Sequence, residues 1–64
     1  MIKEYDVIVA TKDISKKISK GTKGAVLMIF EDPEGYLIEF VDREGETIEI
    51  EDVKPDEIEL VESY

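Results

Sequence analysis

Carboxylates are the residues best placed to do chemistry in this chain. Ile38-Glu39-Phe40, Ile48-Glu49-Ile50 and Ile58-Glu59-Leu60 recur at ten-residue intervals, and Asp32, Asp42 and Asp52 keep the same step. Carboxylates can coordinate a cation, exchange protons as an acid–base pair, or capture a lysine or arginine side chain. Coordination needs several oxygens converging on one ion, and the chain has no Asp-x-Asp-x-Asp loop to supply them. Acid–base work needs one raised and one low pKa inside a cleft, which solvated strands do not offer. The absence of cysteine and histidine also removes thiol nucleophiles, the usual zinc ligands and imidazole catalysis. The expectation is a non-enzyme with no catalytic residues, no metal site and no cofactor.

Capture of a cation on a partner survives this elimination. Glu39, Glu49 and Glu51 are its expected residues: simple hairpin pairing sets Glu39 opposite Glu49, and like charges facing across strands cost up to about 1 kcal/mol. A structural reading competes, in which these are solvated glutamates paired diagonally with lysines of the first loop. Leu27, Ile29, Leu37 and Val41 alternate onto the same outer side and form a candidate apolar contact patch. The alternative is a bulge near Leu27 that swings some of them inside.

The formal net charge is −9, but residues 1–23 carry +3 and residues 24–64 carry −12. Lys16, Lys17 and Lys20 lie in the basic first part and are candidate phosphate contacts. No aromatic residue is interleaved with them to stack bases, and the acidic remainder repels phosphate, so nucleic acid is a disfavoured partner. Gly21 and Gly24 fit no nucleotide fingerprint and read as a turn into a strand. Tyr5, Tyr36 and Tyr64 are too scattered to define a proline-peptide groove.

The positioning elements follow from pattern. Sixty-four residues make a single domain, residues 1–64. "EYDVIVAT" reads as a first strand over residues 5–11, and "KDISKKISKGTKG" as a long loop whose Ile14 and Ile18 tuck back onto the core. "GAVLMIFED" gives a second strand over residues 25–31. Asp32-Pro33-Glu34-Gly35 and Asp42-Arg43-Glu44-Gly45 both read as type I turns closed by a left-handed glycine. That register gathers Val26, Met28, Phe30, Tyr36, Ile38, Phe40, Ile48 and Ile50 into one core face. Pro55 interrupts the next segment and suggests a single helical turn, after which residues 58–61 form a fifth strand beside the first. The expected fold is all-β: a five-stranded SH3-like small barrel with a long first loop and a one-turn helix before the last strand.

"MIKEYDVIVATKDI", "KGTKGAV" and "GYLIEFVDREGET" resemble, in order, a small bacterial family known by an unknown-function label. The resemblance covers residues 1–50. It implies an SH3-like fold without established catalytic residues. Short acidic proteins of this kind look like the small partner of toxin–antitoxin or effector–immunity pairs. The acidic "ETIEIED" strand departs from the family's more apolar fourth strand.

The sequence therefore predicts a non-catalytic acidic binding module for a basic protein partner, either a monomer or a weak homodimer. No apolar run approaches the roughly 18 residues of a membrane span, and the N-terminus lacks a signal peptide's apolar core, so a cytoplasmic protein is expected. The alternatives are a stand-alone structural or designed barrel without a physiological ligand, and weak phosphate binding by the lysine loop. Abundant charge without Asn or Gln fits a heat-adapted protein and a designed one equally.

Overall fold

A computed structural model of the chain describes residues 2–63. Five strands, β1 (Val7–Ala10), β2 (Lys23–Glu31), β3 (Glu34–Val41), β4 (Thr47–Val53) and β5 (Ile58–Glu62), form one open antiparallel sheet in the order β4-β3-β2-β1-β5. A 3-10 turn, Pro55–Glu57, leads into β5. Among the described residues no helix is long and apolar enough to cross a membrane.

β1 is shorter than its Val/Ile pattern suggests because the chain turns just before it. The Asp6 carboxylate accepts the Lys3 N–H at 2.8 Å, the Asp6 N–H donates to the Lys3 carbonyl, and Tyr5 takes φ = 70°. This turn docks on β2, where the Tyr5 N–H donates to the Val26 carbonyl.

Ile8, Gly24 and Phe40 form a row across the centre of the sheet, paired Ile8↔Gly24 and Gly24↔Phe40. Gly24 is there because its neighbours leave no room for a side chain. A Cβ on it would lie 2.7 Å from Ile38 Cγ2 and 2.8 Å from the Glu39 carbonyl oxygen. The core builds outward from this row with Val26, Tyr36, Ile38, Val53 and Ile58.

The loop between β1 and β2 behaves as its two isoleucines predict. Ile18 is fully buried and Ile14 packs against the core. The Ile14 N–H donates to the Ile18 carbonyl, the Ile18 N–H returns to Ser15, and the Lys20 N–H donates to the Asp13 carboxylate at 2.8 Å. These local bonds satisfy backbone groups that strand pairing does not reach.

The turn after β3 also has the expected form. Asp42 and Glu46 are bridged by the Asp42 N–H, the Asp42 carboxylate accepts the Glu44 and Glu46 N–H groups at 2.9 Å, and Gly45 adopts φ = 85°. The turn after β2 does not. Glu31 pairs with Glu34, so only Asp32 and Pro33, joined by a cis peptide bond, make the connection.

The two-residue turn and two register shifts correct the pairing inferred from sequence. Leu27 is inserted between the Val26↔Ile38 and Met28↔Leu37 pairs, and Ile48 between the Val41↔Thr47 and Phe40↔Glu49 pairs. An inserted residue exchanges the faces of everything beyond it. Met28, Phe30 and Ile50, expected in the core, are 49%, 37% and 52% exposed, whereas Val53 is buried.

Replacing Gly24 with Ala should destabilise the protein by about 1–3 kcal/mol, because the methyl meets backbone that cannot step aside. Urea unfolding would read this as a lower midpoint with an unchanged slope; a wild-type midpoint would refute the close packing. Ile18→Ala should cost roughly 2–5 kcal/mol, as a core truncation does, although it sits in a loop.

Candidate functional site

The bulge at Ile48 redistributes the acidic residues. Glu39 lies opposite Ile50, not Glu49, and its carboxylate accepts the Thr47 hydroxyl. Glu49 and Glu51 instead pair with Phe40 and Ile38, which turns them toward the core side at the edge strand β4. The expected facing pair Glu39–Glu49 is therefore not formed, and the three glutamates do not share a face.

Half-buried Glu49 meets the first loop, with its carboxylate 3.8 Å from the Lys17 ammonium. An exposed pair of this kind contributes roughly 0–1 kcal/mol. Half-buried Glu51 hydrogen-bonds to Glu49, and this bond, partial burial and the negative charges of Glu49 and Asp52 hold its carboxyl above the ordinary range. Two neighbouring carboxylates are most easily accommodated when one keeps its proton.

The apolar patch is also divided. Leu37 and Val41 are half-buried on the outer face with Glu39. Ile29 pairs with Tyr36, which assigns it to the opposite face, and Leu27 is the half-buried bulge residue. Met28, across from Leu37, and Ile50, across from Glu39, occupy the outer face in their place. The observed patch is thus Met28, Leu37 and Ile50, with Glu39 and Asp52 between and beside them.

Of the candidate phosphate contacts, Lys16, Lys17 and Lys20 are all exposed, but Lys17 already faces Glu49. Lys20 joins Lys23 and Arg43 around a depression of about 670 Å³ where β2 begins and β3 ends. Lys23 belongs to the basic cluster beside the first loop, but Arg43 does not stand out as a site residue from sequence; the pairing of Lys23 with Val41 brings the two together.

A second depression, about 650 Å³, lies at the other end of the β2–β3 ribbon. Phe30, Pro33, Tyr36 and Val53 supply its apolar lining. Acidic side chains line it from several elements, Asp32 from the turn, Glu34 from the start of β3, and Glu51, Asp52 and Glu57 from β4 and the helical turn. Glu57 is fixed by accepting the Lys54 N–H at 2.8 Å. Tyr5 lies elsewhere and Tyr64 is outside the described residues. Among the described residues, no three acidic side chains are arranged to hold a metal ion. The sequence reading assigns Phe30 and Tyr36 to the core and so misses this groove; their place on either side of the acidic Asp-Pro turn is the signal that could have found it.

Residues 4–60 match a family described as a domain of unknown function, DUF4926. The chain belongs to that family. The match spans every strand of this DUF4926 domain except the last two residues of β5. No curated protein and no solved structure matches the chain. The groove and the outer face must therefore be read from their own chemistry.

Glu51 gives that chemistry a direct test. Its raised pKa means the folded state holds this proton more tightly than the unfolded chain does. The contribution favours folding in acid and fades as pH rises through the raised pKa. Carbon-detected NMR of the side-chain carboxyls should find the Glu51 midpoint above those of the other glutamates, and Glu49→Gln should lower it. An ordinary midpoint in the wild-type protein would refute the carboxyl pair.

Proposed function

We propose that this DUF4926 domain is an SH3-like small barrel that works as a non-catalytic module and engages a basic protein partner. The barrel reading is supported by the strand order, the bulged nine-residue β2 that pairs on both sides, and the single 3-10 turn entering β5. The partner reading is carried by one observation. Exposed Met28 and Ile50 share the outer face with Glu39 and Asp52, and the Glu49–Glu51 pair stands on the other side of the same edge strand, so apolar contact area at the β4 edge is bordered by negative charge.

A frame of this kind does two things. Its charge steers a cationic surface into place and rejects anionic competitors, and the apolar centre holds the contact once water is expelled. Glu39 and Glu49 emerge on opposite faces of the β3–β4 ribbon, so the partner would reach around the β4 edge rather than lie flat on one face. A cytoplasmic partner in an antitoxin-like or immunity-like pair is the concrete biological form of this reading. Phosphate binding by the first loop is the weaker alternative, because Lys17 is engaged by Glu49.

Immobilised protein should retain a basic protein from nuclease-treated lysate at low salt and release it as salt rises. The triple reversal Glu39→Lys, Glu49→Lys, Glu51→Lys should abolish retention while the circular dichroism spectrum stays that of the wild type. Undiminished retention by the folded triple variant would overturn the proposal.

A further inference from the structure

We infer that the groove between the Asp32-Pro33 turn and the Pro55–Glu57 helical turn receives an arginine side chain carried on an exposed segment of the basic partner. This rests on the preceding reading and adds to it a location and a ligand group. The lining is mixed in a way that narrows the ligand. Phe30 and Tyr36 bring aromatic surface, Pro33 and Val53 bring aliphatic surface, and carboxylates stand on both sides.

Each part of an arginine has a counterpart here. The guanidinium is planar, stacks on aromatic rings and donates through a fork that matches carboxylates. Its three-carbon stem lies well on aliphatic surface while the head stays polar. Phe30 suits the stacking role. The residue is 37% exposed, and its strand partner is Gly35, which offers no side chain to cover it. Asp52 is exposed and, paired with Leu37, stands on the same face as Phe30, while exposed Glu34 lines the groove from the start of β3.

Other ligands fit less well. An anion meets Asp32, Glu34, Glu51, Asp52 and Glu57 against Lys54 alone. A bare metal ion would need convergent oxygens, and no three acidic side chains among the described residues are so arranged. A neutral apolar ligand would leave the carboxylates desolvated without compensation. A second copy of this chain could present Arg43, which follows the far end of β3, but two bodies of net charge −9 repel each other.

The test uses the full chain labelled with nitrogen-15 and followed by NMR. Three probes are titrated: acetyl-Gly-Arg-Gly-amide, the same peptide with citrulline, and an arginine- and lysine-rich nonapeptide. The arginine tripeptide should shift the amides of Gly35, Tyr36, Glu51 and Val53 in a saturable way. Citrulline, which keeps the shape and loses the charge, should have little effect. Phe30→Leu keeps apolar bulk and removes the ring; it should weaken arginine binding about fivefold, the worth of one partly exposed cation–π contact. A Glu34→Gln, Asp52→Asn variant should lose binding further and steepen no other shift.

Several results would overturn the inference. These are equal binding of citrulline, indifference to both variants, shifts centred on Glu59 and Glu62, or shifts that grow with protein concentration alone and so report self-association. If the nonapeptide still binds in a salt-sensitive manner while the groove amides stay silent, the groove assignment fails and the basic-partner reading survives. If neither cationic probe binds at low salt, both fall.

Discussion

One extra residue in each of two strands governs the surface chemistry of this protein. A pleated strand sends alternate side chains to opposite sides, so inserting Leu27 into β2 and Ile48 into β4 reverses the assignment of everything beyond them. With those insertions Met28 and Ile50 meet solvent, Val53 closes the core, and Glu49 and Glu51 turn inward at the sheet edge. Without them the same residues would build a conventional two-faced meander. The central row Ile8–Gly24–Phe40 holds the strands tightly enough for the bulges to be accommodated at the periphery.

Much of the architecture could be read directly from residue patterns. Asp42 to Gly45 carries the residues of a turn closed by a left-handed glycine and adopts it; Ile14 and Ile18 are the apolar residues of a polar loop and return to the core; Pro55 suits the first position of the helical turn. The β2–β3–β4 meander and the partnership of β5 with β1 follow from the same reasoning. The bulges left no such trace. "AVLMIF" is apolar throughout, so its alternation cannot announce which side is inside, and an inserted Leu looks like its neighbours. "DPEG" serves a two-residue turn as well as a four-residue one, and the choice moves the register of the whole first hairpin. The site was less legible than the fold for this reason. Glu39, Glu49 and Glu51 were recognised as unusual, but their grouping depended on a phase that only the three-dimensional pairing supplies.

The charge asymmetry along the chain becomes an asymmetry in space. Lys20, Lys23 and Arg43 gather at one end of the β2–β3 ribbon, and Asp32, Glu34, Glu51 and Asp52 at the other. A molecule so polarised is turned by an approaching charged surface before contact is made, which favours productive orientation over mere attraction. The aromatic groove stands at the negative end, the end that such an approach presents first to a cation.

Both outermost strands carry glutamates: Glu49 and Glu51 on β4, Glu59 and Glu62 on β5. An unpaired strand edge is a template for another chain, and charge is among the commonest guards against it. That guard exists only while the carboxyls are ionised, and the Glu51 carboxyl, held above its ordinary range by Glu49, takes up a proton more readily than a free glutamate does. Acid would therefore quieten the mutual repulsion of the edges while leaving Ile50 and Val61 exposed beside them. The edges of this small domain are thus guarded by a charge that acid removes, with apolar residues standing directly beside it.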